Sequence, residues 1–191
     1  MTTVSSLHPL TDVQSLLEAL AFAAHKHRDQ RRKGGFAPPY INHPIAVAQV
    51  LAGEGGIDET AVLMAAVLHD TIEDTETTAD ELRAAFGAVV TAIVLEVTDD
   101  KTLRKEERKA LQIAHAAELS RAARLVKLAD KICNLRDITH DPPSNWPLLR
   151  QQAYFDWARA VVDQLRGTHA GLEAVFDAAY REKPVQQGDR V

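Results

Sequence analysis

Residues 59–74 read ETAVLMAAVLHDTIED, and this stretch decides the fold. Every residue from Ala61 to Leu68 is apolar, which is typical of a helix buried on all sides. We predict a helix from Glu59 to about Leu68 with Asp58 as its N-cap. The polar residues that follow end the helix. Such a helix belongs in the core, and thirty alanines with few alternating β-branched runs favour helix over strand, so we expect an all-α protein.

Capping patterns and breakers divide the rest of the chain into further helices. Thr11 with Gln14 and Thr78 with Glu81 match the capping box, which marks two helix starts. The other predicted helices run from Pro44 to about Gly53, from Ala88 to about Val97 after a stop at Gly87, from about Lys105 to Leu119, from Ser120 to about Arg136, from Trp146 to Arg166 and from Thr168 to Glu182. We therefore predict a single-domain, all-α bundle of about eight to ten helices over residues 1–183, with a flexible C-terminal tail at 184–191.

Length and composition exclude several classes of protein. The 191 residues are 46% hydrophobic, enough for one compact core, and the single cysteine, Cys133, excludes a disulfide framework. A net charge of −5 argues against nucleic acid as a partner. The N-terminus lacks a signal-peptide pattern, and no apolar run is long enough to span a membrane. We expect a cytoplasmic protein that is a monomer or a homodimer.

Four residues form a candidate metal site: His43, His69, Asp70 and Asp130. Adjacent residues of a regular helix point about 100° apart, so His69 and Asp70 can share an ion only where the helix ends. Two imidazoles with two carboxylates leave room for water and substrate and suit Mn²⁺ or Fe²⁺. Such an ion would acidify a water molecule and polarise a phosphoryl oxygen.

Each of these residues also has an ordinary structural interpretation. A His–Asp dipeptide often occurs by chance. His43 alone would be read as a loop or cap histidine, and Asp130 could form an ion pair with Lys127 or Arg124 on its own helix. Burial favours the site, because a carboxylate at the end of an apolar helix is costly unless it is paired or metal-bound.

Further polar residues have two interpretations as well. Glu73 and Asp74 are either a solvated acidic loop or a pair that aligns or deprotonates the attacking water. Asn134 could orient Asp130, bind a sugar hydroxyl or be a buried amide, and Tyr154 is more often a core aromatic. Two basic clusters could be solvated faces or could converge on a polyanionic small molecule: Arg28, Arg31, Arg32 and Lys33, and Lys101, Arg104, Lys105, Arg108 and Lys109.

Together, five segments resemble the HD-domain hydrolases, and more narrowly the RelA/SpoT-type alarmone hydrolases. The matching segments are Arg31–Lys33, Tyr40–Pro44, Leu68–Asp74, Val97–Lys101 and Leu125–Arg136. The resemblance extends from about Leu16 to about Glu182 and favours the small, single-domain branch with a helical HD-domain bundle. It implies removal of the 3′-diphosphate from guanosine 3′,5′-bis(diphosphate), ppGpp or pppGpp, giving GDP or GTP and pyrophosphate. The implied cofactor is Mn²⁺, with Fe²⁺ or Co²⁺ as alternatives.

The resemblance also implies roles for individual residues. The ion would be held by His43, His69, Asp70 and Asp130, and the catalytic pair would be Glu73 and Asp74. The implied substrate contacts are Arg32 and Lys33 to base and phosphates, Lys105 to a phosphate, Asn134 on the ribose side and Tyr154 closing over the nucleotide.

Two other functions stay open from the sequence. The small branch also resembles a phosphatase that removes the 2′-phosphate of NADPH, a monoester beside a nucleotide much like the 3′-diphosphate. A catalytically silent domain that binds a nucleotide or a partner protein is the other alternative. The presence of both Glu73 and Asp74 with an intact ligand set argues against the silent domain.

Overall fold

The computed structural model describes residues 11–186, and within that range the predicted all-α architecture is confirmed. The chain forms nine α-helices in this range: α1 Asp12–Lys26, α2 Asn42–Gln49, α3 Thr60–Leu68, α4 Thr71–Asp74, α5 Ala79–Val97, α6 Lys105–His115, α7 Arg121–His140, α8 Leu148–Asp163 and α9 Ala170–Arg181. The β-type pairing in the described range consists of isolated bridges, Arg31 with Pro39 and Gly34 with Pro143. The boundary between a domain and a tail at 183/184 stays a prediction, since residues 1–10 and 187–191 lie outside the described residues.

The apolar helix α3 lies at the centre of the bundle. It packs against α1, α2, α5 and α7, which leaves Leu68 and Val67 without solvent exposure. The long helix α7 supplies the other half of the core through residues such as Leu128 and Leu135. Truncating a buried leucine of this kind to alanine typically costs about 2–5 kcal/mol of stability. This core fixes the ends of α3 and the middle of α7, which carry the candidate ligands.

Two of the predicted caps are confirmed, and a third forms in part. The Gln14 N–H donates to Thr11 Oγ1 (3.2 Å), and the Thr11 N–H donates to the Gln14 side chain (2.9 Å). Ser120 caps α7. Thr78 caps α5, but the Glu81 side chain turns away from the cap and pairs with Lys26. The capping box predicted there is therefore half formed, because an ammonium is a stronger partner for a carboxylate than a backbone N–H.

Four predicted helix starts are wrong by one or two residues, and the first is that of α2, which begins at Asn42 and not at Pro44. The N-cap of α3 is Glu59, without a side-chain hydrogen bond, and Asp58 does not cap it. The helix predicted from Thr168 is capped instead by His169, whose Nδ1 accepts from the Leu172 N–H (3.1 Å). Helix α8 begins at Leu148, and not at Trp146, because Pro147 disfavours a helical backbone in the residue before it.

The helix interiors and ends also depart from the prediction. Gly87 is an exception, because its backbone leaves the helical region (φ 80°) and kinks α5 where a helix stop was predicted. The helix that contains Pro44 turns into a π-helix at Val50–Glu54, and α6 tightens into a 3₁₀ turn at Ala116–Glu118. Helix α7 continues four residues beyond the predicted end at Arg136, to His140.

Over residues 11–186 no helix has both the length and the apolar character needed to cross a lipid bilayer.

Candidate active site

Three of the four predicted metal ligands converge. His43 comes from the first turn of α2, His69 from the junction between α3 and α4, and Asp130 from the middle of α7. One ligand atom from each lies within 4.8 Å of the others. His43 Nε2 lies 3.1 Å from Asp130 Oδ1, and His69 Nε2 lies 3.9 Å from the same oxygen. Both imidazoles are buried, so this group is enclosed by protein.

Asp70, the fourth predicted ligand, lies beside this group. Its Oδ2 is 3.0 Å from His69 Nε2 and accepts a hydrogen bond from the Tyr40 hydroxyl (2.6 Å). The required interruption of the helix is present, since α3 ends at Leu68 and α4 begins at Thr71. Both His69 and Asp70 therefore face the same cavity.

The polar atoms of His69 fit a bound cation. His69 Nδ1 contacts the Ala66 carbonyl (2.8 Å), which only accepts, so Nδ1 carries a proton. The other nitrogen, Nε2, is buried without a hydrogen-bond partner and faces the carboxylates of Asp70 and Asp130. Burial lowers the pKa of His69, but these two carboxylates outweigh it and raise the pKa to about 9. Positive charge is thus favoured at Nε2, and a divalent cation supplies it to a nitrogen and oxygen donor set of this kind.

Asp130 is held by neighbours on its own helix. Lys131 Nζ lies 3.0 Å from Asp130 Oδ2, and Asn134 donates to Oδ1 (2.6 Å). Burial would raise the pKa of Asp130, but Lys131 and the imidazole of His43 hold it well below its ordinary value. The alternative ion pairs with Lys127 or Arg124 are wrong, since both of these side chains donate to backbone carbonyls. Asp130 therefore stays ionised and correctly oriented for a cation.

The predicted carboxylate pair lies on the short helix α4. The Asp99 N–H donates to Glu73 Oε2 (3.1 Å), and Lys101 Nζ lies 2.5 Å from Asp74 Oδ1 and 3.5 Å from Glu73 Oε1. Burial raises the pKa of Glu73, and the negative charge of Asp70 adds to the effect. Glu73 is therefore a stronger proton acceptor than an exposed glutamate.

The site consists of two connected cavities. The smaller, of about 200 Å³, is bordered by the four candidate metal ligands together with Glu73 and Asp74. The larger, of about 760 Å³, lies beside it and has the size of a small-molecule site. Its walls include every predicted substrate residue: Arg32, Lys33, Lys105, Asn134 and Tyr154. His43, Tyr40 and Asp74 border both cavities.

Only part of the two basic clusters faces the larger cavity. Lys101 and Arg104 pair with carboxylates, and Arg32 donates to Asp137 and Asn134. Five cations on the cavity wall have no carboxylate within 4 Å among residues 11–186: Arg31, Lys33, Lys105, Lys109 and Arg150. Burial lowers the pKa of Lys105, and the charges of Arg150 and Lys33 lower it further. This wall therefore favours an anionic ligand.

Two residues that border the site, Tyr40 and Trp157, had no predicted role. Tyr40 lies three positions before His43, and that proximity is a signal in the sequence. Helices α6 and α8 bring together Lys109 and Trp157, whose indole N–H donates to the Lys109 carbonyl (3.0 Å). No sequence pattern links residues 48 positions apart, so contacts of this kind follow only from the packing of the two helices.

Comparison with known proteins agrees with this arrangement. A family model described as an HD domain matches residues 19–158. The chain belongs to the HD-domain family. The solved structure of a metazoan ortholog of SpoT, which hydrolyses ppGpp, matches this HD-domain protein with a TM-score of 0.87 and 46% identity, covering 95% of this chain and 100% of the other.

Relatives in two vertebrates support the same family assignment. The guanosine-3′,5′-bis(diphosphate) 3′-pyrophosphohydrolase MESH1 of Xenopus tropicalis is 53% identical over 175 residues, which cover 92% of this chain and 98% of the relative. MESH1 of Homo sapiens is 52% identical over 173 residues, which cover 91% and 97%. The predicted membership of the small RelA/SpoT-type branch of HD-domain hydrolases is confirmed.

Proposed function

We propose that this HD-domain protein is a metal-dependent hydrolase that removes the 3′-diphosphate from ppGpp or pppGpp and releases GDP or GTP with pyrophosphate. The observation that carries this proposal is the convergence of His43, His69 and Asp130 beside a carboxylate pair, next to a cavity of nucleotide size. The relatives named for this reaction align with nearly the whole chain, which supports the choice of substrate.

We propose Mn²⁺ as the cofactor, with Fe²⁺ or Co²⁺ as alternatives, held by His43, His69, Asp70 and Asp130. When bound, the ion would polarise a phosphoryl oxygen and acidify a water molecule. The donor set of two imidazoles and two carboxylates supports this choice.

Glu73 and Asp74 would deprotonate and orient the attacking water. The water forms a bond to the phosphorus next to the ribose, and the bond from that phosphorus to the ribose 3′-oxygen breaks. Glu73 accepts the proton of the water, because burial raises its pKa. The 3′-oxygen takes up a proton from solvent and becomes the ribose hydroxyl, and Glu73 releases its proton to solvent, while Asp74 orients the attacking water.

The larger cavity would hold the nucleoside and the 5′-phosphates. Arg32, fixed by Asp137 and Asn134 with its guanidinium 5.6 Å from the Tyr40 ring centre, would contact the base. Lys33 and Lys105 would bind phosphates, which suits their unpaired charges. Asn134 would face the ribose, and Tyr154 would close over the nucleotide.

A single set of assays tests this proposal. The chain is stripped of metal, reloaded with Mn²⁺ and incubated with ppGpp, and the release of pyrophosphate is measured beside an Asp74→Asn control. We expect release that requires Mn²⁺ and falls about 10²–10⁴-fold in the control. Release of orthophosphate from NADPH without pyrophosphate from ppGpp would instead support the 2′-phosphatase. A metal-loaded chain inert to both substrates would support a silent nucleotide-binding domain.

The cellular setting belongs to the same proposal. A cytoplasmic location is supported by the single, buried cysteine, which suits a reducing compartment. Cell fractionation tests the location, and light scattering distinguishes a monomer from a homodimer.

A further inference from the structure

The carboxylate of Asp74 is held at both of its oxygens. The Tyr40 hydroxyl donates to Oδ2 (3.2 Å), and Lys101 Nζ donates to Oδ1 (2.5 Å). Tyr40 precedes α2, and Lys101 follows α5, so the two donors reach Asp74 from separate parts of the chain. The backbone is fixed as well, since Gln30 Nε2 donates to the Asp74 carbonyl (2.5 Å).

Tyr40 also connects Asp74 to a metal ligand. Its hydroxyl lies 2.6 Å from Asp70 Oδ2, so the carboxylates of Asp70 and Asp74 share the single hydroxyl hydrogen. The ring cannot swing away easily, because it packs between the Arg32 guanidinium and the buried His27 imidazole, whose centre is 4.9 Å away. Burial and Asp70 raise the pKa of Tyr40, which keeps the hydroxyl protonated as a donor.

Neither donor presents an unengaged polar group to the cavities. The Tyr40 hydroxyl is engaged by two carboxylates although the ring borders both cavities. Lys101 borders neither cavity, and its ammonium faces Asp74 and Glu73. Their effect on the reaction must therefore pass through the carboxylates that they contact.

We propose that Tyr40 and Lys101 are positioning residues that set the orientation of Asp74, and that Tyr40 couples this orientation to Asp70. The inference rests on the proposed function. It predicts that loss of either donor lowers kcat and leaves KM nearly unchanged. Partners that orient metal ligands typically change metal affinity or activity by about 10- to 100-fold, which gives the expected size.

The test uses the full chain with Tyr40→Phe and Lys101→Met. Matched controls exist at a surface carboxylate, because Asp156 accepts from the Tyr180 hydroxyl (2.9 Å) and from Lys183 Nζ (2.5 Å). Tyr180→Phe and Lys183→Met therefore remove the same two kinds of donor away from the site. For each protein, kcat and KM are measured with ppGpp, and the Kd of Mn²⁺ is measured from the paramagnetic resonance signal of the free ion.

We expect kcat to fall about 10- to 100-fold in both site variants, with KM within about threefold and the controls unchanged. Only Tyr40→Phe should weaken Mn²⁺ binding, since only Tyr40 contacts Asp70. In an Asp74→Asn background Lys101→Met should not lower kcat much further, because the residue through which Lys101 acts has been altered. If Tyr40→Phe does not fold, Lys101→Met tests the proposal alone, at a half-exposed side chain.

Other results would overturn the inference. A higher KM with an unchanged kcat would show that Tyr40 or Lys101 contacts the substrate. A kcat equal to that of the controls would show that neither residue positions Asp74. Failure of the proposed function is distinguishable, because it would appear as a wild-type chain that releases no pyrophosphate. The Kd of Mn²⁺ for Tyr40→Phe against Tyr180→Phe would then still decide whether Tyr40 supports Asp70.

Discussion

Gly34 lies so close to Asp141 that a Cβ atom at Gly34 would overlap the Asp141 carboxylate and lie 2.7 Å from its backbone oxygen. The same carboxylate accepts hydrogen bonds from the N–H groups of Gly35 (2.7 Å) and Phe36 (3.3 Å). The end of α7 thereby holds the loop that follows Lys33 against the wall of the larger cavity. Only a residue without a side chain permits this contact.

Gly34→Ala should therefore displace the loop and weaken substrate binding. We expect KM for ppGpp to rise about tenfold, the equivalent of roughly 1.4 kcal/mol, while kcat changes little because the candidate metal ligands are untouched. Steady-state kinetics measure both constants. The control is Gly53→Ala, whose Cβ would meet nothing within 4 Å. Equal KM values for the two variants would contradict this role of the loop.

His69→Ala should lose most of its bound Mn²⁺. The substitution removes the nitrogen that faces Asp70 and Asp130, and it leaves two buried carboxylates with less positive charge nearby. Elemental analysis of the purified protein measures the metal content. His25→Ala, at an exposed histidine of α1, should keep the wild-type content. A full equivalent of metal in His69→Ala would count against the site.

The rate should depend on pH through Glu73. A proton acceptor works only when ionised, so kcat should fall as the pH drops through the pKa of Glu73. Because burial raises that pKa, the fall should begin at a higher pH than for an ordinary glutamate, whose pKa is 4.5. Glu73→Gln should remove this limb of the pH profile and lower kcat about 10²–10⁴-fold. An unchanged pH profile in Glu73→Gln would show that another group accepts the proton.

The metal-free protein should lose stability as the pH rises. The folded-state pKa of His69 is raised from 6.5 to about 9, so its charged form contributes stability that is fully present below pH 6.5 and lost as the pH approaches 9. The melting temperature of chelator-treated protein should fall across that interval. In His69→Ala the fall should be smaller. Parallel curves for the two proteins would show that another group is responsible.

Local signals predicted much of the fold. The apolar run of α3 and the caps at Thr11 and Ser120 depend on neighbouring residues, and all were correct. Two of the errors lie where a distant contact or a proline decides the local structure. Glu81 leaves its cap for Lys26, and Pro147 sets the start of α8.

The candidate site likewise contains features that the sequence predicted and contacts that it did not. The resemblance named residues that the structure places around one pair of cavities, and the end of α3 at His69 followed from the sequence alone. The contacts of Tyr40 with Asp70 and of Lys101 with Asp74 cross 30 and 27 positions. Which hydroxyl meets which carboxylate depends on how α2, α4 and α5 pack, and no spacing in the chain encodes it.

Both tryptophans of the chain border the site. Trp146 lies on the wall of the larger cavity, and Trp157 lies on the wall of the smaller one, with Lys109 Nζ and Lys131 Nζ 4.6 and 4.4 Å from its ring centre. Indole fluorescence from the unlabelled protein therefore originates entirely beside these cavities. An anion that draws the two ammonium groups toward itself changes the electric field at Trp157, so ligand entry can be followed optically without attaching a dye.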